Sequence, residues 1–147
     1  MSPLREDTIG PTRSLVPVAA ALLAAVIGIL CYYLGSDRLD FAAHFVAGLG
    51  GTMLLLSLLT IKRDEPLRGW PIVVVTAVAC GIGVCCEALF FVEGGFDLVD
   101  VSNQSLGAVT AALIFAAWPV RGARSIVPWL LLALALLLGG AKLVSMF

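Results

Sequence analysis

Apolar residues along this chain fall into five long blocks separated by short polar breaks. The blocks cover about residues 15–34, 39–61, 70–92, 98–118 and 126–144. Each is near the roughly 20 residues that a helix needs to cross the hydrocarbon of a bilayer. None alternates apolar and polar positions as a lipid-facing barrel strand does. Hydrocarbon offers no water to unpaired backbone groups, so blocks of this kind must close their own hydrogen bonds as helices. The pattern therefore predicts an all-α fold, a polytopic membrane bundle of five transmembrane helices. Residues 15–147 form its single domain, preceded by a polar tail over 1–14. That tail carries both signs of charge, Arg5 and Arg13 with Glu6 and Asp7, unlike the basic start of a cleaved signal peptide.

Composition sharpens the picture. Of 147 residues, 61% are hydrophobic and 13% charged, against roughly 45–50% and about 25% in soluble domains. One core of this size cannot hide that surplus from water, which argues against a soluble enzyme or a disordered regulator. The four cysteines, Cys31, Cys80, Cys85 and Cys86, contain no CxxC pair and sit inside apolar blocks. They read as small packing residues, although a bridge from Cys31 to Cys85 or Cys86 is sterically open. No basic stripe suits nucleic acid.

The net charge of −1 matters less than where the charges lie. With five spans, the tail, the second connection and the fourth share one side of the membrane. That side holds Arg5, Arg13, Lys62, Arg63, Arg68, Arg121 and Arg124, and the other only Arg38 and Lys142. Excess Lys and Arg marks the cytoplasm, so the expected orientation is N-in and C-out.

Polar chemistry collects on the opposite, extracytoplasmic side. Asp37 and Asp40 precede the only histidine, His44, while Glu87 is embedded late in the third block. Glu93, Asp97, Asp100, Asn103 and Gln104 follow. At about 1.5 Å per residue, His44 lies roughly 6 Å inward of Asp40 and Glu87 roughly 8 Å inward of Val92. Asp40 and His44 share a helix face, as do Asp100 and Gln104. A carboxylate within a span costs about 2.5–3.5 kcal/mol at the centre and less near the interface, and normally faces a partner or a wet cavity. For Glu87 that partner is expected to be His44.

The expected ligand-binding set is Asp40, His44, Glu87, Asp97, Asp100 and Gln104. Within it, Asp40, His44, Glu87 and Asp100 are metal-ligand candidates, because carboxylate oxygens with one imidazole suit Zn, Mn or Mg. His44 and Glu87 are the candidates for acid–base catalysis. The plainer role of Asp40 and Asp100 is helix capping, which leaves Glu87 unexplained. No HExxH or GxSG motif is present, so binding is favoured over turnover.

Asp40-Phe41-Ala42-Ala43-His44-Phe45 resembles the D-x-x-x-H-F start of the second helix in VanZ-like membrane proteins. Glu87 matches a glutamate late in their third helix, and Phe96–Ala108 is similar to their acidic segment. The resemblance covers about residues 37–112. It departs at Phe90, where the family usually has Gln, in the lack of Arg over 91–96, and at Asn103-Gln104, where the asparagine comes one position early. A diverged member or a neighbouring family fits these departures. The resemblance implies a small bacterial cell-envelope protein of the cytoplasmic (inner) membrane. Its extracytoplasmic pocket would bind a cationic or lipid-linked envelope component, or a divalent metal. Two alternatives stand beside it: a membrane hydrolase or transferase acting on a lipid-linked substrate, and a small accessory subunit of a larger membrane complex. For the subunit, Gly139-Gly140 would let a partner helix approach closely.

Overall fold

The computed structural model describes residues 11–36, 38–61, 63, 65–90, 96–118, 120 and 123–144. They form five α-helices: α1 (Pro11–Ser36), α2 (Leu39–Thr60), α3 (Trp70–Phe90), α4 (Leu98–Ala117) and α5 (Ala123–Val144). All five are long and apolar enough to cross a membrane. Helix α1 starts at Pro11, so residues 11–14, placed in the tail from sequence, make its first turn. Proline suits that position because its missing N–H has no partner in the first turn anyway. The break before α3 is made by Gly69 at φ +62°, a backbone region that side chains disfavour. Its carbonyl accepts from Ile72 N at 3.1 Å to open the helix.

Helix α2 is the hub. Two thirds of its central window is buried, against 17–39% for the other four. It packs most extensively on α4 and α5 and also meets α1 and α3. Small residues let the axes come together. A Cβ added at Gly107 of α4 would sit 2.8 Å from Leu49 N, and one at Gly48 of α2 would sit 2.8 Å from the backbone carbon of Gln104. Gly140 of α5 turns inward to α2, where a Cβ would lie 2.9 Å from Ala43 O, whereas Gly139 has nothing within 4 Å. Half of the glycine pair that suggested a partner helix is therefore used within the chain.

The core concentrates at the end of the bundle holding the α2–α3 and α4–α5 connections. Trp129 and Phe115 are fully buried there, with ring centroids 5.9 Å apart in an edge-to-face arrangement. The Trp129 indole donates to Met53 O at 3.2 Å, and Ser57 Oγ donates to the same carbonyl at 2.7 Å. The buried Ser57 and Thr60 hydroxyls thus find i−4 carbonyls, whereas Thr52 Oγ1 is buried without a partner. Truncating Trp129 removes a filled volume and the hydrogen bond that ties α5 to Met53 O of α2. Trp129→Ala is expected to lower stability by about 3–5 kcal/mol, read as a fall in melting temperature in detergent.

Candidate functional site

The site lies at the opposite end, where α2 and α4 begin and α3 finishes. His44 sits five residues into α2, Glu87 three residues before the end of α3, and Asp100 in the first turn of α4. One donor atom from each lies within 4.8 Å of the others. His44 Nε2 stands 3.4 Å from Asp100 Oδ2. Glu87 is 5% exposed and His44 8%, so the cluster is largely withdrawn from solvent.

Each side chain is placed by neighbours that the backbone fixes. Glu87 Oε1 accepts from the backbone N–H of Asp97 at 3.3 Å, which ties α3 to the start of α4. Asp97 itself caps α4, its Oδ1 accepting from Val99 N at 2.7 Å. Asp100 therefore stands in the first turn without being the cap, and the capping role expected of it belongs to Asp97. Its Oδ1 is buried with no hydrogen-bond partner. An unpaired buried carboxylate oxygen costs desolvation energy that only a cation or donor would return.

Asp40 is used differently. The Arg38 guanidinium forks onto it, Nε donating to Oδ1 at 2.9 Å and the terminal nitrogen to Oδ2 at 2.5 Å. Arg38 also lies 4.0 Å over the Phe41 ring. The carboxylate beside it holds the Arg38 guanidinium above its usual range. The N-cap residue of α2 is Arg38, which makes no side-chain cap bond, so Asp40 is not the cap there. Among the described residues Asp40 is not in the three-donor group. Gln104 was expected among the ligand-binding residues. Its side-chain amide lies over Gly83 of α3, where an added Cβ would come 2.8 Å from Oε1. Asp37 and Glu93 lie outside the described residues.

Two supporting residues stand outside the expected ligand set. Tyr32 donates its hydroxyl to Asn103 Oδ1 at 2.6 Å and packs against Phe41 and Phe45. Asn103 Nδ2 is buried without a partner. The Tyr32–Asn103 pairing joins positions 71 apart in sequence, so nothing in the local pattern announces it. The alternative bridge from Cys31 to Cys85 or Cys86 is not formed: all four thiols are free, and Cys31 and Cys85 are exposed on the bundle surface.

The donor set suits a divalent cation. Ligands at about 2.0–2.2 Å from such an ion stand roughly 3.4 Å apart in a tetrahedral site and up to about 4.2 Å across an octahedral one. His44 and Asp100 already meet the first value. The 4.8 Å bound on the group leaves only a small side-chain movement to close it. Two carboxylates and a neutral imidazole carry two negative charges, which one divalent ion cancels.

Fold and site together define a five-helix bundle suited to multiple membrane crossings, with an imidazole–carboxylate cluster at one end. No family model, curated protein or solved structure matches the chain.

Proposed function

We propose that this chain is a multi-pass membrane protein, N-in and C-out, that binds a divalent cation through His44, Glu87 and Asp100 on its extracytoplasmic side. The observation that carries the reading is the meeting of three ligand atoms from three separate helices within 4.8 Å. The orphaned Asp100 oxygen supports it. Orientation rests on the basic residues: seven of nine lie in the tail and in the second and fourth connections of the sequence. The site would then face the cell envelope, in keeping with the VanZ-like pattern of Asp40, His44 and Glu87.

The test is metal content. Protein purified in detergent, offered zinc, manganese or magnesium in turn and desalted, is expected to retain one ion per chain. Glu87→Gln and Asp100→Asn should lose it, while Asp40→Asn should keep it because Asp40 is committed to Arg38. Wild-type protein without bound metal under all three conditions overturns the reading. A hydrolase is favoured as the second reading by the 3.4 Å approach of His44 to Asp100, which would orient the imidazole beside a metal-bound water. Turnover of a lipid-linked phosphate or ester that disappears with the metal would establish it.

A further inference from the structure

The cluster opens into a second feature. Among the described residues α3 and α5 do not pack against each other, although both lean on α2. Between them runs a cavity of about 540 Å³, floored by Ala47, Gly51 and Leu55 of α2 and walled by Ile82 and Cys86 of α3 and Leu137 of α5. Its lining is overwhelmingly apolar, and His44 and Gln104 stand at one end. His44 thus belongs both to the groove and to the three-donor cluster.

Length selects the occupant. From His44 to Leu55 the floor spans eleven residues, or about 16 Å of helix rise. The hydrocarbon core of a bilayer is about 30 Å thick, so the groove is one leaflet deep. A spanning helix of a partner would need the full thickness, whereas a single lipid chain needs half. The polar end lies within a turn or so of the helix ends, at the depth of a headgroup. Resting on the cation reading above, the ion's three protein ligands leave positions open to another donor. Divalent magnesium and manganese favour oxygen there. Arg38, half exposed just before α2 and paired with Asp40, adds a positive charge that feels Asp97 and Asp100.

We propose that the groove between α3 and α5 holds one hydrocarbon chain of an anionic phospholipid, whose phosphate oxygen completes the coordination of the cation held by His44, Glu87 and Asp100. The ligand class is therefore an amphiphile of the outer leaflet with a phosphate head.

The test uses full-length protein in phosphatidylcholine vesicles doped with phosphatidic acid carrying a diazirine on its acyl chain. After illumination, label is expected on the α3 and α5 walls, at Ile82, Cys86 or Leu137. Gly51→Leu should lose it. A Cβ at Gly51 meets nothing nearer than Leu137 Cδ1 at 3.9 Å, so the larger side chain enters the groove without displacing backbone. Ile82→Trp blocks the groove from α3 and should act likewise. Metal content, measured on the same samples, separates the two proposals. Both variants should keep their ion, and chelation of wild type should reduce labelling. Groove label that the variants abolish, in a wild type that holds no metal, would defeat the cation reading and the headgroup assignment but uphold the chain. Equal labelling of wild type and both variants, or cross-links to a second copy in place of lipid, overturns the proposal.

Discussion

Saturation with a divalent cation is expected to stabilise the folded bundle by about 2.7 kcal/mol at a hundred-fold excess over the dissociation constant. Glu87→Gln should abolish that increment. The size follows from linkage alone: an ion that binds the folded chain and not the unfolded one shifts the equilibrium by RT ln(1 + [L]/Kd). What the structure adds is the site of action. His44, Glu87 and Asp100 come from α2, α3 and α4, so the ion joins three helices at one end of the bundle. Melting curves in detergent, with and without chelator, read the effect directly. Without metal, Glu87→Gln should differ much less from wild type, because the amide keeps the oxygen that accepts from Asp97 N. A metal-induced rise in melting temperature that survives Glu87→Gln would remove the glutamate from the coordination sphere.

A large loss of stability is expected from Gly107→Leu. Overpacking a core usually costs about 1–3 kcal/mol when side chains can shift to make room. Here the obstruction is backbone, since the new Cβ falls 2.8 Å from Leu49 N and 3.0 Å from the carbonyl carbon of Phe45. Relief requires α4 to move off α2, which would open the very contact that brings Asp100 to His44. The cost should exceed the upper end of that range, and metal binding should fall with it. Gly81→Ala is the matched control: a Cβ there has nothing within 4 Å, and the exchange should gain up to about 1 kcal/mol of helix propensity. A melting temperature unchanged by Gly107→Leu would mean that α2 and α4 do not approach as described.

The helices were legible because their signal is hydropathy summed over some twenty positions. The starts of α2, α3 and α4 at Leu39, Trp70 and Leu98 coincide with the apolar blocks. The first turn of α1 was not, because Pro11 and Thr12 look like a polar tail when only apolar density is counted. The convergence of His44, Glu87 and Asp100 was readable from depth along each helix, since rise per residue is constant. What depth cannot supply is rotation about the axis and choice among neighbours. His44 was expected to meet Glu87, and a ligand atom of each lies within 4.8 Å of the other, but Asp100 joins them, its Oδ2 3.4 Å from His44 Nε2. Asp40 shares a face with His44 by spacing but is drawn back by Arg38, two residues away and outside the helix. Asp97 and Asp100 both read as acids near a helix start. Only the turn geometry decides that Asp97 caps and Asp100 is left for the cluster.

The carbonyl of Met53 receives both the indole of Trp129 and the hydroxyl of Ser57. The indole bond crosses from α5 to α2 beneath fully buried aromatic rings, while the hydroxyl bond stays within α2. Movement of the helices against one another is then expected to be smaller at that end than where the imidazole and the two acids face one another. Small rotations about the anchored end would widen or narrow the ligand triangle, turning the bundle's own flexing into a change in grip.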